Sequence, residues 1–291
     1  MNGCSHLPLL TNRMRQFVAL VLISATLVAV VAYLQFISND EDIGLFVLAG
    51  QSNMQGWQGN AEEYPADPQG VDRKVKFYFV TPGYSSSNGK WTFLQAQGGL
   101  FSKGHFGPEV SFARMMVEDG HNLAIFKYSL RGTGLADEWK APGQNGMYDQ
   151  MITELRKSVR LLQANRGKVS FKGFIWIQGE SDADTKELAD GYGDRLKLLI
   201  DDFRKNVAKC PTLPVILGVD EQHPWVKDFP EVVEAQHKLA ANGQNIFFTS
   251  MIGLEKADIT HLTPNGLIQH GRRLFKDYNT LTTNWHVKCA E

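Results

Sequence analysis

The chain has 291 residues, of which 43% are apolar and 21% charged. These are ordinary globular values and exclude a disordered or collagen-like chain. Thirty basic against thirty-one acidic side chains give a net charge of −1, with no basic run to serve as a nucleic-acid footprint, so no nucleic-acid partner is expected.

The first feature in chain order is Phe17 to Ile37, an uncharged stretch interrupted only by Ser24, Thr26 and Gln35. About 20 apolar residues span a hydrocarbon core as a helix. Arg13 and Arg15 precede it, and Asp40, Glu41 and Asp42 follow. The positive-inside rule therefore puts residues 1–16 in the cytoplasm and the rest outside the cytosol. Two outcomes fit: an uncleaved signal anchor at 17–37, or a signal peptide cleaved after Ala32, with Val30 and Ala32 as the small-residue site. Residues 38–43 read as an acidic spacer, and 44–291 as one α/β domain.

Within that domain, apolar runs alternate with helical patterns. Strands are expected at Leu45–Ala49, Val75–Val80, Leu123–Tyr128, Val169–Ile177, Pro214–Val219 and Ile246–Ser250. Helices are expected at 108–119, 147–165, 185–208 and 230–241, with a terminal helix from the Thr263–Pro264 cap to about Tyr278. Residues 81–107, rich in Gly, Ser and Pro, read as a long loop. Strand and helix alternate five times, which predicts a mainly parallel, five-stranded sheet with helices on both faces. Three cysteines are too few for a disulfide scaffold and have no zinc spacing. Cys210 and Cys289 share the oxidising side of the membrane and either pair or remain free thiols. The histidines show no ligand spacing, so no metal is expected.

Polar clusters follow three of these segments: Gly50-Gln51-Ser52-Asn53-Met54, Gln178-Gly179-Glu180-Ser181-Asp182 and Asp258-Ile259-Thr260-His261. Ligands of parallel sheets bind beyond the carboxyl ends of the strands, where the clusters would converge. Together they supply a hydroxyl, an imidazole, carboxylates and amides, the inventory of nucleophilic acyl transfer. A serine needs a base to take its proton, and an imidazole needs a carboxylate to hold one tautomer. Asp258 and His261 lie three apart, so one turn can present both.

These blocks, read as Leu48-Ala49-Gly50-Gln51-Ser52-Asn53-Met54, Trp176-Ile177-Gln178-Gly179-Glu180-Ser181-Asp182 and Asp258-x-x-His261, resemble the sialate O-acetylesterase-like group. That group includes the family 6 carbohydrate esterases and lies within the SGNH hydrolase superfamily. The likeness runs from about Leu45 to Leu274. It takes in Gly107-Pro108-Glu109-Val110-Ser111-Phe112-Ala113 and Arg131-Gly132-Thr133, with Trp139 six residues on. The resemblance implies a three-layer α/β/α, flavodoxin-like sandwich, an acetylated carbohydrate as substrate and no cofactor. It makes Ser52 the nucleophile, His261 the base and Asp258 its orienter. Ser52, Gly132 and Gln178 become the oxyanion donors. Gln51, Asn53, Glu180 and Arg131 are expected around them, with Arg131 standing where the group usually carries a glycine. An esterase for another small acyl ester and a tethered carbohydrate-binding pseudoenzyme are the competing readings. In the surrounding loops, Trp57, Tyr84, Trp91 and Trp225 are candidate sugar-stacking rings.

Overall fold

The computed structural model describes residues 42–164, 168–242, 245–284 and 289. The predicted tail, the membrane segment 17–37 and the spacer through residue 41 lie outside the described residues. Among the described residues, no helix is long and apolar enough to cross a membrane. Asp42 and Ile43, read above as spacer, open the first strand.

In chain order the elements are β1 (Asp42–Gly50), α1 (Ser52–Gln55), β2 (Lys76–Thr81), β3 (Ser85–Ser86), β4 (Thr92–Phe93), α2 (Glu109–Glu118), β5 (Leu123–Ser129), α3 (Met147–Gln163), β6 (Lys168–Ile177), α4 (Lys186–Asp190), α5 (Tyr192–Asp202), β7 (Val215–Gly218), α6 (Pro224–Asp228), α7 (Glu231–Ala241), β8 (Ile246–Phe248) and α8 (Pro264–Asn284). The sheet order is β3-β2-β5-β1-β6-β7-β8, with β4 also paired to β2. The expectation of five strands is corrected: six strands run parallel, and β3 and β4 add to β2 antiparallel. Five alternations join six strands, and two-residue polar strands leave no apolar period to read. By pairing with β2, β3 and β4 cover part of what would be an open edge. The strand order also departs from the flavodoxin-like one, because β5 sits between β2 and β1. The segment predicted as one helix over 185–208 is broken at Gly191 and ends in a π-helical turn, Phe203–Val207.

Side chains alternate across a strand, and β1 divides accordingly. Leu45, Val47 and Ala49 enter one core with Leu155 of α3, Leu199 of α5 and Val232 of α7. Phe46 and Leu48 enter the other with Phe112 of α2 and Leu274 and Tyr278 of α8. The sheet is thus the middle of three layers, buried on both faces as parallel sheets require. A disulfide joins Cys210 to Cys289, which selects the paired alternative.

The carboxyl ends of the central strands are level: Gly50 of β1 lies opposite Ser129 of β5 and Ile177 of β6. Gly50 has φ +145°, and a Cβ there would stand 2.0 Å from the Ile177 carbonyl oxygen. Only glycine lets β1 turn out so close to β6, and the turn delivers Ser52.

Candidate active site

Ser52 begins the short helix α1 and is buried, as are Gln51, Asn53 and Gln55 beside it. Beneath it, the buried Lys127 donates to the Gln55 carbonyl at 3.1 Å and to Glu109 at 2.7 Å. Glu109 also accepts from Gln97 (2.8 Å) and from the Gly107 amide (2.9 Å). A buried ion pair persists only when further hydrogen bonds offset the lost hydration, and this one meets that condition. It ties α1 to β5. In the sequence, Gly107-Pro108-Glu109 stands out only by resemblance. Lys127 is missed there, because it shows solely as a charge inside an apolar run.

Asp258 and His261 lie on the loop before α8. His261 Nδ1 is 2.8 Å from Asp258 Oδ2, and Asp258 Oδ1 accepts the amides of Thr260 (2.8 Å) and His261 (2.7 Å). Burial alone would raise the Asp258 carboxyl. The hydrogen bonds outweigh it and hold the group below its ordinary value. The carboxylate is therefore the acceptor and Nδ1 the donor, which leaves the Nε2 lone pair free to take a proton.

Asn53 joins the two parts. Its Nδ2 donates to the Thr260 carbonyl (3.0 Å), and its Oδ1 accepts the Leu262 amide (3.0 Å). One side chain, next to Ser52, thus grips the backbone on both sides of His261. Trp57 closes the same corner, with its ring 6.3 Å from that of His261. Among the described residues, the Ser52 hydroxyl has no hydrogen-bond partner.

The loop after β5 carries Arg131 and Gly132. The Arg131 amide donates to Gln55 Oε1 at 2.8 Å. Its guanidinium lies 4.0 Å from the Trp57 ring centre, and Nε donates to the Tyr84 hydroxyl at 3.0 Å. Gly132 has φ +65° with open space around it, so backbone conformation rather than crowding asks for glycine here. The Arg131 side chain thus adds a rim beside Trp57 and Tyr84.

Gln178 differs from its expected role. Its Nε2 donates to the Thr133 carbonyl (3.1 Å) and to Asp182 Oδ2 (2.7 Å). Both amide hydrogens are used, so in this arrangement Gln178 braces the Gly132 loop and has none left for an oxyanion. Asp182 also accepts the amides of Leu135 (2.6 Å) and Ala136 (3.2 Å). Burial raises its carboxyl. Trp139 holds the same loop through Nε1 to Thr133 Oγ1 at 3.0 Å. Glu180 accepts the Asp220 amide at 3.1 Å, and burial pushes its carboxyl up to about 7. Gln51 is buried with its amide oxygen unpartnered. Of the candidate stacking rings, Trp57 and Tyr84 lie at the site. Trp91 instead donates to the Ser158 carbonyl and packs on Tyr78. Trp225 is exposed beside His223. Among the described residues, no cluster of His, Cys, Asp and Glu has a metal-holding arrangement.

Residues 42–280 match the model of the carbohydrate esterase, sialic acid-specific acetylesterase family (SASA). The chain belongs to that family and is a carboxylic ester hydrolase of the carbohydrate esterase class. It is 25% identical over 253 residues to a probable carbohydrate esterase of Arabidopsis thaliana, covering 80% of this chain and 89% of the relative. The fold is similar to the solved structure of an Arabidopsis thaliana protein (TM-score 0.63, 22% identity, 82% of this chain and 98% of the other). It is also similar to NanS (TM-score 0.62, 14% identity, 84% and 99%). A third likeness is to a carbohydrate acetylesterase from Xanthomonas citri (TM-score 0.53, 20% identity, 83% and 57%).

Proposed function

We propose that the chain is a serine esterase that removes O-acetyl groups from a carbohydrate, such as an acetylated sialic acid or xylan, through an acetyl-enzyme. The supporting observation is the Asn53 clamp, which holds the Asp258–His261 pair against the residue following Ser52. His261 Nε2 takes the Ser52 proton as Oγ attacks the acetyl carbonyl. The Ser52 and Gly132 amides receive the oxyanion, and preorganised donors of this kind supply much of such a rate enhancement. The tetrahedral intermediate collapses, His261 returns the proton to the leaving sugar oxygen, and water then releases acetate by the same route. The chemistry balances without a cofactor. The test is labelling by a fluorophosphonate probe together with acetate release. Wild type should show both, and folded Ser52→Ala neither; acetate release by Ser52→Ala at the wild-type rate would end the serine reading.

In this reading, residues 44–291 form the catalytic domain outside the cytosol, held to the membrane by an anchor at 17–37. The Cys210–Cys289 disulfide supports an oxidising compartment. Full-length protein should stay with membranes after an alkaline carbonate wash. Soluble protein beginning near Tyr33 would mean signal cleavage instead.

A further inference from the structure

β1, β5 and β2 are neighbours that end together: Gly50 pairs with Ser129, and Val80 with Tyr128. Strands lie about 4.8 Å apart, so the end of β2 is roughly 10 Å from the end of β1 along the sheet edge. A cleft of about 700 Å³ opens there, between the turn after β2 and the first turns of α3.

A continuous rim leads to it from His261. Trp57 lies 6.3 Å from the His261 ring and 6.3 Å from the Tyr84 ring. Arg131 is stacked on Trp57 and bonded to Tyr84. Tyr84, 40% exposed, sits between β2 and β3 on the turn whose next residues wall the cleft. The exposed Tyr84 ring suits the apolar face of a sugar ring.

The cleft's polar groups select the ligand chemistry. Asp149 is occupied by the amides of Gly143 (2.9 Å) and Asn145 (2.7 Å). Glu154 accepts from Tyr78 at 2.7 Å, with Lys157 3.7 Å away. The charges are thus satisfied or balanced locally. Gln150 accepts from Tyr128 at 3.2 Å, while no described residue takes its amide hydrogens. Asn88 also lines the cleft. Unspent amide hydrogens beside one lysine and two carboxylates that are already hydrogen-bonded fit sugar hydroxyls better than a phosphate, a carboxylate or an alkyl chain.

Resting on the esterase reading, we propose that this cleft is a binding subsite for a second or third sugar of an acetylated chain. The preferred substrate is then an acetylated oligosaccharide rather than a free acetylated monosaccharide.

The test uses the full-length chain and the double variant Asn88→Ala/Gln150→Ala. Acetate release is followed on p-nitrophenyl acetate, on a mono-O-acetylated sugar and on an O-acetylated trimer of that sugar. The xylose and N-acetylneuraminic acid series are both run. Wild type should show a KM about tenfold lower for the trimer than for the monomer, the worth of two neutral hydrogen bonds. The double variant should raise the trimer KM to the monomer value and leave kcat, the monomer and p-nitrophenyl acetate unchanged. Equal wild-type KM values for monomer and trimer, or a variant that weakens both alike, would overturn the subsite while leaving the esterase intact. Wild type inert on p-nitrophenyl acetate and on both sugar series would overturn the esterase reading, and the subsite with it.

Discussion

The two halves of the candidate active site are built in opposite ways. The Ser52 half is set by the interior: β1 lies between two parallel neighbours, Gly50 turns against the Ile177 carbonyl, and a buried Lys127–Glu109 pair holds the end of α1. The Asp258–His261 half is a surface loop. The Asp258 side chain is 41% exposed, and the pair is organised by bonds within four residues plus the reach of Asn53. A side chain buried in this way, as the proposed nucleophile is, stays put even when single contacts are lost. A base on a loop depends on each of its few ties, so substitutions there should cost activity far more than stability.

The largest expected effect after loss of Ser52 itself is Asp258→Asn. The carboxylate fixes Nδ1–H and leaves Nε2 open for the proposed role of base, whereas an amide can present its own N–H to the ring and favour the opposite tautomer. In serine proteases the matching change costs about 10⁴ in kcat. A loss on that order is expected here in steady-state kinetics, with unfolding midpoints near wild type. Neither nearby carboxylate can substitute: Asp182 is taken up by Gln178 and two amides, and Glu180 holds the Asp220 amide. A silent Asp258→Asn would show that the pair is structural only.

Next is Asn53→Ala, which leaves Ser52, Asp258 and His261 in place and cuts the tie between the halves. Misplacement of reacting groups by about 1 Å can cost roughly 10² in rate, and a fall in kcat of that order is expected with little change in KM. If kcat holds and only stability falls, the halves are held together by something other than Asn53, and the contrast drawn above is wrong.

Much of the layout is legible in the amino-acid sequence, for identifiable reasons. The inner strands of a parallel sheet read as unbroken apolar runs, as Leu45–Ala49 does, and polar clusters at their ends mark the carboxyl edge. Asp258 and His261 are readable because their bonds are local. Contacts between distant segments are not. Nothing near Asn53 announces that it will reach Thr260 and Leu262, and nothing near Lys127 announces Glu109 and the Gln55 carbonyl. Gln178 shows how far residue type alone carries: an amide at a strand end is a plausible oxyanion donor until its two hydrogens are traced to Thr133 and Asp182. The strand order is hidden for a similar reason, since apolar period says which runs are strands and not that β5 settles between β2 and β1.

The smallest expected effect on activity lies at the seam between the halves, in Glu180. Its buried carboxyl follows β6, binds the Asp220 amide through Oε1 and leaves Oε2 unpartnered. Asp220 is paired with Lys256 on the loop that leads to Asp258. Burial, reinforced by the Asp220 charge, raises the group from 4.5 to about 7; hydrogen bonds from Asn53 and backbone amides oppose the shift without cancelling it. A carboxyl held high in the folded chain binds its proton more tightly folded than unfolded. Its contribution to stability is therefore complete below about pH 4.5 and is lost as pH rises through about 7. That shift corresponds to about 3 kcal/mol. Glu180→Gln keeps the shape and removes the titration. Denaturant unfolding at pH 4.5 and pH 8 should show the variant gaining on wild type by up to that amount at the higher pH, with kcat within about threefold of wild type because the glutamine amide oxygen still accepts from Asn53 and the Asn53 bonds to Thr260 and Leu262 remain. Parallel pH slopes for the two proteins would mean that Glu180 is already ionised when folded, and that the seam holds the loop through charge rather than through a buried neutral acid.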